Sequence, residues 1–257
     1  MNPEEYTSLD QIDREHWFYR GKRAIVRWWI THYLELKPDD LLIDGGMGTG
    51  TWLMEMSSSC RILGLDSYEE SLAIARPRIE AVGGQVLKTT LNQIDLPDGM
   101  AQVVTLLDVL EHLDDDAGAL QEMIRLTRPD GLIVITVPAL RWLWSDWDVT
   151  LQHRRRYHLD DFQRLVCQEG VEVLHCAYIN SFLVFPIFLV RQWRKLFPVQ
   201  PNTRRAEDTI PPSLINSLLY QSFVRPACWP WFHPPVGVSL LAVLRRTKLL
   251  ASEQIED

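Results

Sequence analysis

The chain has 257 residues, enough for one large domain or for a domain with a sizeable insertion, and 46% hydrophobic with 23% charged residues is a globular composition. A net charge of −8 excludes a protein that coats nucleic acid, because phosphate binding needs a basic face. The cysteines at 60, 167, 176 and 228 have no CxxC spacing, which excludes a zinc pattern, and the acidic start Met1-Asn2-Pro3-Glu4-Glu5-Tyr6 lacks an apolar signal core. These features predict a cytoplasmic location.

Residues 10–36 read as helical, with Trp17, Phe18, Ile25, Trp28, Trp29, Tyr33 and Leu36 on an apolar face and Gly21 as a point of division into two helices. Residues 41–44 form a buried strand, and Asp44-Gly45-Gly46-Met47-Gly48-Thr49-Gly50 follows it into a helix over 49–58. Glycines at every second position mark a turn that something approaches closely. The spacing is wrong for a dinucleotide fingerprint, whose third glycine would fall at Thr51, and no Lys is present for a phosphate loop.

Residues 61–65 are a second strand ending in Asp66, and Ser67-Tyr68-Glu69-Glu70 has the spacing of a capping box. Strands are predicted at 84–88 and 103–107, the second wholly apolar as expected when both faces are covered. Acids at 114–116 open a helix running to about residue 127. Pro129-Asp130-Gly131 turns the chain into a fifth strand over 132–137. A helix over 160–169 and strands at 171–179 and 238–244 complete the pattern. Strands alternating with helices predict a doubly wound, mainly parallel α/β sheet of seven strands. The stretch between the last two strands, 180–236, is too long for a loop and is expected to be a largely helical insertion. The expected organisation is an N-terminal cap over 1–39, a core over 40–179, the insertion, and a last strand with its tail over 237–257.

With that order in place, the chain resembles the class I S-adenosylmethionine (SAM) methyltransferases, and most nearly the group containing the ubiquinone-biosynthesis O-methyltransferases. The resemblance covers about residues 40–180 and 237–246. It implies that the loop of Gly46, Gly48 and Gly50, with Gly45 before it, runs under the methionine part of SAM, that Asp44 orients that loop or the amino group, and that Asp66, with Ser67, receives the ribose hydroxyls. Leu107 and Asp108 would lie beside the methyl group. An acid common at the adenine amino group is replaced by Thr90, leaving Thr90, Leu91 or Asn92 for that contact, and an acid common near the fourth strand is Gln102. Arg20 or Arg23 on the first helix would pair with the SAM carboxylate.

Asp108, Glu111 and His112 fall at i, i+3 and i+4, the residues that would hold a divalent metal in the ubiquinone group. A metal is not expected, since the same Leu-Glu-His run pins the turn in metal-free relatives. Beyond the fifth strand, the aromatic segment 138–148 and His153-Arg154-Arg155-Arg156-Tyr157 should line the acceptor pocket. His112, His153 and Asp146 are the candidates for proton transfer, with Asp148 a further acid within reach, and the arginines could hold an anionic group.

The apolar run from Ser181 to Val190, followed by Arg191, Trp193, Arg194 and Lys195, is too short to span a bilayer but suits a segment lying in its interface. Trp229-Pro230-Trp231-Phe232 is a second such candidate. The alternative is a lid or a dimer face. The expected function is methylation of a small lipophilic or lipid-linked acceptor, favouring oxygen, in the cytoplasm or at the inner face of the membrane. The alternatives are a methyltransferase for a soluble sugar or natural product, and a SAM-binding scaffold without catalysis.

Overall fold

The computed structural model describes residues 11–196 and 209–247. The apolar runs β1 (Leu41–Gly45), β2 (Arg61–Asp66), β3 (Gln85–Lys88), β4 (Ala101–Leu107), β5 (Thr127–Pro138), β6 (Val171–Ile179) and β7 (Ser239–Arg246) form one sheet in the order β3-β2-β1-β4-β5-β7-β6. The first five strands are parallel, and β7 runs antiparallel to both β5 and β6. The helices are α1 (Trp17–Tyr33), α2 (Thr51–Met56), α3 (Glu69–Ala81), α4 (Asp116–Leu126), α5 (Asp146–Thr150), α6 (Leu159–Val166), α7 (Val184–Leu196) and α8 (Ser213–Ala227).

Both faces of the sheet are covered, which explains why β1 and most of β4 are apolar without alternation. One face buries Ile43, Leu65, Val104, Leu106, Ile133 and Ile135 against α4 and α6. The other buries Leu42, Ile62, Val103 and Val134 with Ile25, Val26, Trp29 and Ile30 of α1. The strand order reverses direction between β1 and β4, so their carboxyl ends open a crevice at the position where ligands bind in such sheets.

Three local expectations are corrected. Gly21 does not divide the first helix: α1 runs through it, and the break falls at His16, whose Nδ1 accepts the Phe18 N–H at 3.3 Å. The glycine instead admits α8, for a Cβ there would lie 2.7 Å from the Phe223 ring. No capping box forms at Ser67; α3 starts at Glu69, and the Tyr68 N–H is taken by Asp66 Oδ1 at 2.9 Å. β5 begins at Thr127 and carries Pro129-Asp130-Gly131 within it as an irregularity, with Asp130 at φ 64°. Between β6 and β7 lie α7 and α8, and α8 packs along α1. There Trp29 Nε1 donates to the Ala227 carbonyl at 2.9 Å, and Phe18 stacks on Phe223 with centroids 5.7 Å apart. Residues 197–208 of the insertion lie outside the described residues, as do the first ten residues of the cap and the tail from 248.

Candidate active site

The glycine loop is built by its strand neighbours. The Gly46 and Met47 N–H groups both donate to the Leu65 carbonyl, at 2.8 and 3.1 Å, which curls the chain back over β2. Gly46, Gly48 and Gly50 all have positive φ, at 72°, 55° and 75°. A Cβ on Gly46 would meet Val109 at 2.6 Å, whereas one on Gly48 would meet nothing within 4 Å. Gly46 is therefore required by packing, and Gly48 by its backbone conformation beside open space. Gly45 lies over Leu91, which is buried, while Thr90 beside it is exposed.

Two buried carboxylates stand at the ends of β1 and β2. Asp66 Oδ2 accepts the Gly48 N–H at 3.0 Å while its other oxygen holds Tyr68, so the residue expected at the ribose also braces the loop. Ser67 is exposed next to it. Asp44 Oδ1 accepts from the Thr105 hydroxyl at 2.6 Å, which in turn accepts from Trp52 Nε1 at 3.1 Å. Burial pushes Asp44 up to about 7 despite the Thr105 bond, so a cation arriving beside it is the natural way to restore its charge. Asn92, the other rim candidate, donates to the Asp115 carbonyl at 2.8 Å. Gln102 sits at the opposite, amino end of β4, away from the crevice, which follows from the register pairing Val103 with Leu42.

The first helix reaches this site through a residue the sequence reading passed over. Lys22, whose side chain is 6% exposed, donates its ammonium to Asp108 Oδ2 and lies 4.4 Å from the centre of the Phe18 ring. Arg20 points elsewhere, with its guanidinium 5.3 Å from the Tyr220 ring centre. Arg23 pairs with Asp13 and Glu55, and Asp13 also accepts from the Thr49 hydroxyl at 2.9 Å, tying the segment before α1 to the glycine loop. A signal for Lys22 was present: it interrupts the apolar stripe Phe18, Ile25, Trp29 at helical spacing.

After β4 the chain makes a strained corner, with Asp108 at φ 55°, its N–H bonded to the Thr136 carbonyl at 2.9 Å and its Oδ1 to the Thr136 hydroxyl at 3.2 Å. The next turn presents Glu111 and His112. Glu111 is fully buried and neither carboxylate oxygen has a hydrogen-bond partner. Burial drives Glu111 upward and the nearby Lys22 downward, which favours the neutral form of each. His153 faces the same point: its Nε2 is 4.0 Å from Glu111 Oε1, and its ring lies edge-on to His112 with centroids 4.8 Å apart. Burial, and then the neighbouring His153, lower His112 to about 4, so it is uncharged at neutral pH.

Asp148, and not Asp146, orients His153. Asp148 Oδ1 lies 3.0 Å from His153 Nδ1 and 2.6 Å from Arg156 Nε, and its other oxygen caps the turn at Ser145 at 2.8 Å. Asp146 is exposed at the start of α5. Burial opposes charge on Asp148, but the bonds from His153 and Arg156 outweigh it and hold the carboxylate well below its usual range. The arginine run is spent internally. Arg154 donates to the His112 carbonyl, Arg155 pairs with Asp116 at 3.0 Å, and Arg156 also donates to the Ala139 carbonyl at 3.1 Å. These bonds clamp the 146–157 segment onto the turn after β4.

The trio Asp108, Glu111 and His112, which would hold a metal in the ubiquinone group, does not come together. Asp108 is paired with Lys22, and Glu111 is instead grouped with His112 and His153, their donor atoms within 4.8 Å of one another. Arg156 already supplies positive charge near Glu111. The fit to the implied ion is poor.

A prediction arises from the Asp148–Arg156 pair, whose side chains are 0% and 5% exposed. Asp148→Asn will cost roughly 3–5 kcal/mol in chemical denaturation, because it strands a buried guanidinium. The folded-state pKa of Asp148 lies below its unfolded value, so its contribution is complete above the ordinary carboxylate range. It fades as pH falls below about 4, and the Asn variant will lack that part of the acid dependence.

A seven-stranded sheet of this order, with a glycine loop after β1 and an acid ending β2, defines the class I methyltransferase fold. Residues 43–135 match the model of a methyltransferase domain family. The matched segment takes in the glycine loop and Asp66, and the fold is that of SAM-dependent methyltransferases. It is 28% identical over 183 residues to a "probable S-adenosylmethionine-dependent methyltransferase" of Mycobacterium tuberculosis, covering 68% of this chain and 63% of that one. A more distant likeness is to the ubiquinone biosynthesis O-methyltransferase of Sodalis glossinidius, 26% identical over 148 residues, 51% of this chain and 57% of that one. The chain thus spans less than two thirds of the length of either relative. In fold, it is similar to geranyl diphosphate C-methyltransferase from Streptomyces coelicolor A3(2), solved with S-adenosyl-L-homocysteine. The TM-score is 0.59 at 11% identity, over 86% of this chain and 78% of that one. Among the described residues, no helix is long and apolar enough to cross a membrane.

Proposed function

We propose that this protein transfers the methyl group of SAM to an oxygen of a small lipophilic or lipid-linked acceptor, at the cytoplasmic face of a membrane. The observation that carries the reaction is the pair His153–Asp148, placed beside Glu111 and His112 on the turn that follows Asp108. Methyl transfer needs an acceptor in line with the S–CH3 bond and a group to take the hydroxyl proton. The sulfonium of SAM supplies the leaving group. Asp148 accepts from Nδ1 of His153 and leaves Nε2 as the proton acceptor; this tautomer is set by the partner. Asp108 and Lys22 hold the entrance to the methionine end. The edge-on pair Trp142 and Phe188 in an apolar groove supports an apolar acceptor, and the O-methyltransferase among the relatives supports oxygen as the atom. Contact with the membrane would run through residues 181–195 and 229–232, where Trp229 and Trp231 are exposed. The free thiols of Cys60, Cys167, Cys176 and Cys228 support a reducing compartment.

The test is methyl-tritiated SAM supplied to the purified chain with either the lipid extract or the aqueous extract of a membrane preparation. Label passing into the organic phase, with matching release of S-adenosylhomocysteine, is the expected result. Label confined to water-soluble products would replace the lipophilic acceptor with a soluble one. SAM binding without any product release would leave a cofactor-binding scaffold.

A further inference from the structure

Helix α7 shows its apolar side to solvent. Phe185 is 67% exposed, Leu189 50%, Val190 52% and Trp193 64%, whereas a helix resting on a globular body normally turns its polar side outward. Phe188 meets the exposed Trp142 edge-on at 5.7 Å, and Trp142, Val184, Phe185 and Phe188 line an apolar groove of about 310 Å³. Charge is equally one-sided. In a chain of net charge −8, no Asp or Glu occurs between Glu172 and Glu207, and Arg191, Arg194 and Lys195 fall in the last two turns of α7. An exposed aromatic and aliphatic face on a helix bearing only basic charge is the pattern of a segment seated at the surface of an anionic bilayer. A second copy of the chain fits less well, because pairing α7 with itself would bring like charges together without a compensating acid.

We infer that α7 docks the protein onto an anionic lipid surface and brings the Trp142–Phe188 groove to the membrane. A lipid-linked acceptor then meets the protein at that groove. The inference rests on the lipophilic acceptor proposed above. The test is cosedimentation of the full chain with vesicles of phosphatidylcholine alone or mixed with phosphatidylglycerol. Wild type is compared with the doubly substituted variant Phe185→Asp, Leu189→Asp, whose two sites are exposed. SAM binding is measured in parallel by calorimetry. Wild type should bind the anionic vesicles and be released by salt, and the variant should partition about tenfold or more weakly with unchanged SAM affinity. Equal partition of wild type and variant, or no sedimentation of wild type while SAM still binds, would overturn docking and leave the methyltransferase reading intact. A concentration-dependent dimer that the variant dissociates would also overturn it, by making α7 an interface between copies. Loss of SAM binding in wild type would instead bring down the reading on which docking rests.

Discussion

Asp66→Ala will weaken SAM binding on the order of a hundredfold, since two charge-assisted hydrogen bonds to the ribose are each worth about 1.5–3 kcal/mol. Asp66 also holds the Gly48 N–H at 3.0 Å, so the substitution loosens the loop as well. Asp66→Asn separates the two effects: it keeps an oxygen for the Gly48 N–H but gives up the second acceptor and the charge. Titration of SAM and its demethylated product into all three proteins gives the comparison. An alanine variant that binds like wild type would remove Asp66 from the cofactor site.

His153→Ala will lower kcat by about 10²–10⁴, the range in which a positioned general base acts. SAM affinity should be unchanged, because His153 lies beyond Asp108 on the acceptor side. A merely structural role would give a different pattern, with reduced stability and a proportionate loss of cofactor binding. Added imidazole should restore part of the rate to the alanine variant if the missing group is a proton acceptor. No rate defect, or a defect that imidazole leaves untouched while stability falls, would assign His153 to the scaffold of the 146–157 segment.

The shape of the glycine loop and its strand setting were legible in the sequence because they depend on short-range geometry. An apolar strand, an acid and three glycines at alternate positions constrain one turn, and Asp66 follows Asp44 by one strand–helix–strand unit. Local spacing was weaker wherever two hydrogen-bonding options competed. Ser67 had the spacing of a cap, yet the Tyr68 N–H went to the Asp66 carboxylate, which burial had already placed beside it. Asp146 and Asp148 are equivalent by composition. Only the curl of the chain shows that Asp148 meets His153 and Arg156 while Asp146 stays in solvent.

The sequence by itself determined the doubly wound sheet and the position of the glycine loop. Hydrophobic periodicity and backbone conformation are properties of neighbouring residues, and they need no distant partner. Tertiary structure decided the rest of the site. The Lys22–Asp108 pair joins residues 86 positions apart, and the contact of His112 with His153 requires the segment after β5 to fold back onto the turn after β4. Whether a buried polar group such as Glu111 is paired, neutral or charged depends on which charges the fold brings beside it. A single sequence records those groups but not their separation, which is why the partners of Lys22 and Arg156 emerged only when the chain was folded.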